Sequence, residues 1–424
     1  MKSYLMQSRI TKYDVIFIFF LALCARYLFA IFSGIEPVSG PDWSRYDALS
    51  NQILAGNFNL ETRLFITAPL FSYVVAALKL VFGPGYGFVL QNIQIVLSSI
   101  SVVYLMLTAK LIFSDQRIAM LTGITYAIYP ITLYFTHQFS QESIFQSIFI
   151  ISIYYYSMYM ADGNMKFLVK FSILFSLALL TKSHIILILP FLVFSLFMKY
   201  GMNKKSFLGA FSVMGIVFLV TLPYGIYNKV VNGTYVMASS GLGGHFVTGH
   251  NDDFFAYVID PPPPDSAEFK RLKRLDFDVY RRLAPELAGL SHKQKQARYL
   301  EEGILWSIDH PVHFLRLVWF NLKNHLFPGF SVNHYPFKTW LIVLIISTPV
   351  FFFAYFEMTR RLVLDYRSHL AIASIFMGML CFSIGFYSQN RFRVVTIEPF
   401  YLMYASSGLF YLLNYFRNKF QINK

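Results

Sequence analysis

Residues 15–46 read VIFIFFLALCARYLFAIFSGIEPVSGPDWSRY, and this stretch decides the class of fold. Its apolar run from Val15 to Ile35 is long enough to cross a bilayer as a helix, because a span needs about 20 residues. The run is longer than the core of a signal peptide and no small-x-small cleavage site follows it, so we expect an uncleaved anchor. A turn-rich segment with the acid Asp42 comes next. The stretch therefore predicts a membrane helix that leads into a polar segment at the membrane surface.

The whole chain has the composition of a polytopic membrane protein. Of its 424 residues, 56% are hydrophobic and only 14% are charged, whereas soluble domains carry about 25% charged residues. The apolar pattern does not alternate as in an outer-membrane barrel, so the spans are predicted to be helices. The two cysteines, Cys24 and Cys381, lie in apolar runs, which excludes a disulfide framework. The net charge of +14 predicts no nucleic-acid partner, because the basic residues cluster between apolar runs, where they indicate topology.

The spacing of the apolar runs predicts about ten transmembrane helices in an all-α fold, with both termini in the cytoplasm. Residues 67–82 are assigned to an outward juxtamembrane helix, because this choice places all the basic clusters on the cytoplasmic side. We expect three parts: an N-terminal transmembrane module at 1–226 with a catalytic first outer loop at 36–83, an exterior loop subdomain at 227–337, and C-terminal transmembrane helices at 338–424. The last part of the subdomain, from Ile304 to Pro328, is expected to be an amphipathic helix on the outer surface. The predicted spans are 14–35, 87–109, 117–136, 143–160, 167–181, 184–198, 206–226, 338–357, 368–387 and 395–415.

Two acids lie at the predicted outer rim. Asp42, with Tyr46 four residues later on the same helical face, is placed to act as a general base toward a hydroxyl acceptor. The alternative is that Asp42 only caps that helix. Glu142 follows a polar cluster at the start of the fourth span, where a plain first-turn glutamate is the alternative. Together the two carboxylates would either hold a divalent cation or divide the roles of base and positioning group.

Basic side chains are expected at the same rim. Arg391 and Arg393 precede the last span against the positive-inside trend, and their planar guanidinium groups suit a phosphate at headgroup depth. Snorkelling to lipid phosphates is the alternative. Lys182 and His184 interrupt two short apolar runs and form a second outward positive site, or simply a tight hairpin. Glu398, inside the last span, would neutralise either arginine.

Residues 239–251 form a glycine-rich segment with four glycines and two histidines. Such a segment can wrap backbone amides around a phosphate or a sugar. No Gly-Lys-Ser/Thr follows, so it is not a Walker loop. His245, His250 and Asp252 are candidate metal ligands, although ordinary loop histidines are the commoner explanation.

The order of short motifs along the chain resembles the GT-C glycosyltransferases of the protein-mannosyltransferase and aminoarabinose-transferase type. That family has an acid in the first outer loop followed by a tyrosine, a small residue and a glycine, as here. The motifs that carry the resemblance are Asp42-Trp-Ser-Arg-Tyr46 with Ala48, Leu54 and Gly56; Phe65-Ile-Thr-Ala-Pro-Leu70; Tyr129-Pro130 to Glu142; Leu180-Thr-Lys-Ser183; Gly249-His-Asn251; His310-Pro311; and Arg391-Phe-Arg393.

The resemblance implies a GT-C fold and an enzyme that moves a sugar from a polyprenyl-phosphate carrier to a lipid A, glycan or protein acceptor. It implies a multi-pass protein of the cytoplasmic membrane, in contact with membrane lipids, whose active site faces the periplasm or exterior. No cofactor is certain, and a divalent metal ion is an option because family members differ. Asp42 would be the catalytic base and Glu142 a second active-site acid. The expected substrate-binding residues are Tyr46, Lys182, His184, His250, Asn251, Arg391 and Arg393.

Two other functions are consistent with a polytopic protein of this kind. A polymerase or ligase of lipid-linked glycans would have similar outer loops but a glycan-diphosphate donor. A transporter or flippase would place its polar groups near the middle of the membrane, often in paired half-helices. The crowding of polar residues at one rim favours the transferase.

Overall fold

A computed structural model describes residues 10–38, 42–56, 67–330, 336–387 and 389–422. Phe65 and Ile66 of the quoted motifs lie outside the described residues. Within those ranges the secondary structure is helical without a β-strand, so the predicted all-α class is confirmed. The α-helices are α1 (Lys12–Ser33), α2 (Trp43–Leu54), α3 (Leu70–Phe82), α4 (Tyr86–Phe113), α5 (Gln116–Ala127), α6 (Pro130–His137), α7 (Gln141–Asp162), α8 (Met165–Thr181), α9 (Leu189–Tyr200), α10 (Lys204–Asn232), α11 (Leu242–Gly249), α12 (Asp252–Val258), α13 (Ala267–Lys273), α14 (Asp278–Leu287), α15 (His292–Asp309), α16 (Pro311–Leu326), α17 (Phe337–Leu364), α18 (Leu370–Gly385), α19 (Asn390–Thr396) and α20 (Glu398–Ile422).

The described helices include seven stretches that are long and apolar enough to cross a membrane, and eight if the bent pair α5–α6 is one span. Helix α8, with 17 residues, packs between α7 and α10, and α20 packs against α17. Neither of these two helices is among the stretches that qualify as spans, so the described residues support seven or eight of the about ten spans that the sequence predicts. The chain is therefore a multi-pass membrane protein.

The first span shows why the helices begin and end where they do. Thr11 accepts a hydrogen bond from the backbone N–H of Asp14, whose carboxylate accepts one from the N–H of Thr11, so a capping box starts α1. The helix ends at Gly34, whose φ of +64° is a left-handed conformation that glycine adopts without strain. These local signals fix the bounds of α1 within a few residues of the predicted run.

The span formed by α5 and α6 is broken by 50°. Pro130, the first residue of α6, has no N–H to continue the hydrogen bonding of α5. Arg26 of α1 is fully buried beside the break, and its guanidinium donates to the carbonyl of Ala127 over 3.3 Å and to Ser98 over 2.8 Å. This arginine satisfies a carbonyl at the negative end of the α5 dipole. The break directs the chain from α6 into the start of α7, where Glu142 lies.

Helix α3 folds back against the start of α4. The ring of Phe139 lies 5.9 Å from that of Phe71 and 6.1 Å from that of Tyr86. The rings of Phe71 and Tyr86 are thus within about 12 Å of each other. The two residues are 15 positions apart, which corresponds to about 22 Å along an unbroken helix. The chain turns at Gly83, whose φ is +52°. The assignment of 67–82 to a helix separate from the following span agrees with this turn.

Residues 242–326 contain six helices, α11 to α16, that bury an apolar core of their own. The stretch from Ile304 to Pro328, predicted as one amphipathic helix, is instead split between α15 and α16. The split occurs at His310, because Pro311 disfavours a helical conformation in the residue before it. Tyr387, near the start of α19, packs on Phe254 with ring centroids 4.5 Å apart. This contact joins the small core to the segment that carries Arg391.

Candidate active site

Four charged side chains from distant parts of the chain meet at one end of the bundle. The Nη1 atom of Arg391 lies 2.7 Å from Oδ2 of Asp42 and 3.8 Å from Oε1 of Glu142. The Nζ atom of Lys182 lies 2.9 Å from the same Oε1 atom. One carboxylate oxygen of Glu142 therefore faces two cations, and both carboxylates that the sequence singles out belong to one cluster.

Asp42 stands at the N-terminus of α2, yet its side chain makes no capping hydrogen bond. Its backbone carbonyl accepts from Tyr46 over 3.2 Å, which starts the helix, while its carboxylate accepts from Arg391. The Asp42 side chain is 21% exposed, whereas that of Glu142 is 2% exposed. Asp42 is therefore the more accessible carboxylate of the cluster, and the helix-capping alternative does not describe its side chain.

Glu142 and Lys182 form a buried ion pair. Glu142 lies in the first turn of α7, and Lys182 follows the end of α8 in an extended conformation. The Lys182 ammonium also lies 4.4 Å from the centre of the Phe392 ring. Burial lowers the pKa of Lys182, with the Glu142 carboxylate acting against this shift and the Arg391 guanidinium adding to it. The pair fixes the positions of α7 and α8 beneath Asp42 and Arg391.

Arg391 and Arg393 have different surroundings although two positions separate them. Arg391 is 31% exposed and contacts both acids of the cluster. Burial acts to lower the pKa of Arg391, but the Glu142 and Asp42 carboxylates outweigh it and raise that pKa. Arg393 is fully buried, where its guanidinium donates to Glu398 over 3.2 Å and to the carbonyls of Asn324, Phe327 and Gly329.

Those acceptors take up most of the N–H donors of Arg393. Arg393 therefore holds neighbouring segments together and has few donors left for a substrate phosphate. Glu398, which the sequence assigns to either arginine, pairs with Arg393 and also accepts from the Tyr129 hydroxyl. Of the two arginines, Arg391 is therefore the one whose guanidinium is accessible in the cluster.

Tyr46 and His184 lie beside the cluster without an ion pair to it. The buried Tyr46 ring packs edge-on against Phe71 at 4.7 Å, and burial raises its pKa, with the nearby Glu142 carboxylate adding to the shift. The Nε2 atom of His184 lies 3.1 Å from the hydroxyl of Thr396, and its ring is 5.0 Å from that of Phe392. Phe392 thus contacts both His184 and Lys182, and Tyr46 remains a neutral phenol beside the cluster.

His250 and Asn251 have structural roles in the small core. His250 is buried, with its ring stacked on Phe246 at 4.1 Å, and burial lowers its pKa. Asn251 caps α12 by accepting from the backbone N–H of Phe254 over 2.8 Å. The glycine-rich segment forms α11 instead of a loop: the amide of Gly244 donates to Oε1 of Gln296 over 3.0 Å, and that of His245 to the carbonyl of Gly241 over 2.8 Å. Its glycines allow close packing: a Cβ on Gly243 would lie 1.9 Å from the carbonyl oxygen of Gln296 in α15.

The described residues contain no group of three or more His, Cys, Asp and Glu side chains that could hold a metal ion. Asp252, a candidate ligand in the sequence, accepts from the indole N–H of Trp306 over 2.8 Å. The Asp42 and Glu142 carboxylates are already bound to Arg391 and Lys182. A divalent cation held by these carboxylates together with a substrate phosphate would have to displace both ion pairs.

Sequence reasoning missed the residues that hold α2 in place. Asp47 accepts from the hydroxyl of Tyr86 over 2.5 Å and pairs with Lys79 at 2.6 Å. Lys79 also donates to Asn51, four residues after Asp47 on the same helix. The only signal in the sequence is this Asp/Asn spacing of one helical turn, which is common on any helix surface.

The fold is similar to that of archaeal oligosaccharyltransferases. The chain matches the AglB oligosaccharyltransferase of Archaeoglobus fulgidus, solved with an inhibitory peptide and a dolichol-phosphate, at 15% identity and a TM-score of 0.55, over 97% of this chain and 52% of that one. A second structure of the Archaeoglobus fulgidus enzyme, a complex with Zn and sulfate, matches at 16% identity and a TM-score of 0.53, over 95% and 49%. The chain has a GT-C fold. It spans about half the length of these solved proteins.

A protein-family comparison agrees with this fold. Residues 67–227 match the family described as dolichyl-phosphate-mannose-protein mannosyltransferase. The matched part contains Glu142 and Lys182 but neither Asp42 nor Arg391. No curated protein matches the chain significantly. The resemblance to GT-C membrane glycosyltransferases that the motifs indicate is thus confirmed by a family match and by the fold.

Proposed function

We propose that this GT-C protein is an inverting glycosyltransferase that moves a sugar from a polyprenyl-phosphate carrier to a hydroxyl acceptor. The observation that carries the proposal is the cluster in which Arg391 bridges Asp42 and Glu142 while Lys182 pairs with Glu142. It combines an accessible carboxylate with two cations, which are the groups needed to remove a proton and to stabilise a leaving phosphate.

Asp42 acts as the general base. Its partly exposed carboxylate accepts the proton of the acceptor hydroxyl, and the hydroxyl oxygen attacks the anomeric carbon of the sugar from the face opposite the phosphate. The bond between that carbon and the phosphate oxygen breaks with inversion. The polyprenyl phosphate leaves with both electrons of the bond, so its phosphate gains one negative charge.

Arg391 and Lys182 stabilise this developing charge. Arg391 is the more accessible of the two and presents a planar fork to the phosphate. Since the same guanidinium also binds Asp42, a donor phosphate that draws Arg391 away frees the carboxylate to act as a base. Glu142 keeps Lys182 charged and directed toward the site.

The matched proteins support a lipid-linked donor. The family description names a dolichyl-phosphate-mannose donor and a protein acceptor, and the AglB structure contains a dolichol-phosphate and an inhibitory peptide. We place the site at the outer face of the cytoplasmic membrane, because the basic clusters of the sequence then face the cytoplasm. The acceptor is a lipid A, glycan or protein hydroxyl.

The test is the release of the lipid carrier by purified protein from a panel of polyprenyl-phosphate sugars and polyprenyl-diphosphate glycans in the presence of an acceptor extract. Wild type is compared with Asp42→Asn, and with Asp162→Asn, which changes an exposed carboxyl at the far end of α7. Release from one donor that needs Asp42 but not Asp162 is expected. Release only from a glycan diphosphate, or equal release by Asp42→Asn, would overturn the proposal.

A further inference from the structure

A pocket with charged and apolar walls lies at the other end of the bundle from Asp42. Helix α4 shows the separation: Gln94 donates to the carbonyl of Gln138, four residues before Glu142, whereas Phe113 lines the pocket 19 residues later. That interval corresponds to about 28 Å of helix. The cavity measures about 420 Å³, within the range of about 300–1,000 Å³ that is usual for small-molecule sites. Its lining includes Asp115, Arg360, Arg361, Ser407 and Tyr411.

The pocket carries an excess of one positive charge. The fully buried carboxylate of Glu357 accepts from Arg360 through two bonds of 2.7 Å, and one of its oxygens also accepts from Nε of Arg361 at 2.7 Å. One carboxylate thus serves two guanidinium groups. At the rim, Asp115 is neutralised by Arg117 at 3.1 Å. The pocket therefore matches a ligand with a single negative charge.

Arg361 is the group available for such a ligand. Its side chain is 21% exposed, and its guanidinium lies 5.2 Å from the centre of the Phe113 ring. Among the described residues, its two terminal nitrogens have no hydrogen-bond acceptor; Nε alone is bonded, to Glu357. A guanidinium with two free terminal nitrogens can donate to two oxygens of one phosphate group.

An apolar groove of about 570 Å³ adjoins the pocket. Phe352, Tyr355, Phe356 and Thr359 line it at helical spacing along one face of α17, and Arg360 belongs to both the groove and the pocket. Phe352 is 63% exposed, so this face of α17 points away from the interior of the bundle. The two cavities together offer a cationic end and a long apolar wall that meet at Arg360.

We propose that this pocket and groove bind a membrane phospholipid with an anionic headgroup. The phosphodiester supplies the single negative charge and accepts from Arg361, and an acyl chain lies along Phe352 and Phe356. Binding at this site is separate from sugar transfer, since it uses none of the cluster around Asp42.

The test is native mass spectrometry of the full-length protein in detergent with added phosphatidylglycerol, phosphatidylcholine, polyprenyl phosphate or inorganic phosphate. Phosphatidylglycerol is expected to be retained about tenfold better than phosphatidylcholine, and Arg361→Gln to remove that preference. The matched control, Arg367→Gln, deletes an exposed charge after α17 and should leave binding unchanged.

A second variant keeps the test independent of the folding of Arg361→Gln. Phe352→Ser changes an exposed ring in the groove and should weaken long-chain phosphatidylglycerol several-fold more than a short-chain form. Equal binding of the two phospholipids, an unchanged preference in Arg361→Gln, or equal effects of Phe352→Ser on both chain lengths would overturn the proposal. Stronger retention of inorganic phosphate would also overturn it, as would retention of polyprenyl phosphate that Arg361→Gln lowers, since neither ligand is a phosphodiester lipid and polyprenyl phosphate bound at the Asp42 cluster should not depend on Arg361.

Discussion

Arg391 donates to the carboxylate of Asp42 over 2.7 Å, although 349 positions separate the two residues in the chain. The same guanidinium lies 3.8 Å from Glu142. The contact therefore joins the segment after the first span to the segment before the last one. Under the proposed function it also couples donor binding to base release, because a phosphate and Asp42 compete for one guanidinium.

Replacement of Arg391 tests this coupling. Arg391→Gln should raise the donor KM by about tenfold or more, because a charge-assisted bond to the phosphate is lost. The acceptor KM should change little. Steady-state kinetics with each substrate varied in turn measure the difference, and an effect confined to the acceptor would contradict the assignment.

Arg393→Gln is the contrasting variant for that experiment. It removes donors to Glu398 and to three backbone carbonyls that are buried with Arg393. The expected result is a lower melting temperature in detergent with an unchanged donor KM in the folded fraction.

The Glu142–Lys182 pair should show strong energetic coupling. Glu142→Gln and Lys182→Met should each destabilise the protein by about 3–5 kcal/mol, because each leaves the partner charge buried and unpaired. The double variant should lose less than the sum of the two, and denaturant unfolding of all four proteins gives the coupling energy. The exposed Arg117–Asp115 pair is the matched control, with a coupling of about 1 kcal/mol or less. Additive effects at Glu142 and Lys182 would refute a buried ion pair.

The contacts of Asp47 with Lys79 and Tyr86 predict a pH-dependent stability. Burial acts to raise the pKa of Asp47, but hydrogen bonds from Lys79 and Tyr86 outweigh it and hold that pKa below the ordinary value of 3.8. A lowered pKa in the folded state means that the ionised carboxylate stabilises the protein above about pH 4, and that this stabilisation is lost as the pH falls through the folded-state pKa.

Wild type should therefore melt at a higher temperature than Asp47→Asn. This difference in melting temperature should be largest at pH 7 and should shrink as the pH falls below about 4. Thermal melts of both proteins across this range measure it, with Asp162→Asn as the control. A margin that stays constant with pH would show that the charge of Asp47 does not hold α2.

The packing of α11 on α15 predicts different effects at two adjacent glycines. Gly243→Ala would place a Cβ 1.9 Å from the Gln296 carbonyl, which requires a backbone shift. The expected cost is about 1–3 kcal/mol. The atoms nearest to a Cβ on Gly244 are 3.7 Å away, an ordinary contact, so Gly244→Ala should be neutral or slightly stabilising. Protease resistance of α11 to α16 measures both, and equal loss would contradict this packing.

The spans and the two acids could be predicted because they depend on local properties. Apolar runs of span length must be helical in lipid, where every backbone polar group needs an internal partner. Asp42 and Glu142 are conspicuous because acids are rare beside such runs. The ion pair between Asp47 and Lys79 could not be predicted, since the two residues belong to different helices and nothing in the sequence sets the angle between α2 and α3. The glycines at 241–249 were predicted to bind a phosphate or a sugar for a related reason: that they serve close helix packing instead depends on α15.

The sequence by itself determined the helical membrane class and the presence of acids and bases near the helix ends. Tertiary structure alone decided which of them meet. Arg391 and Arg393 are chemically identical and both lie on α19. Residues two apart lie on nearly opposite faces of a helix, so one face directs Arg391 to Asp42 and the other directs Arg393 to Glu398. Which face turns toward the cluster is set by the packing of α19 against α7, α16 and α20, and that packing is a property of the whole bundle.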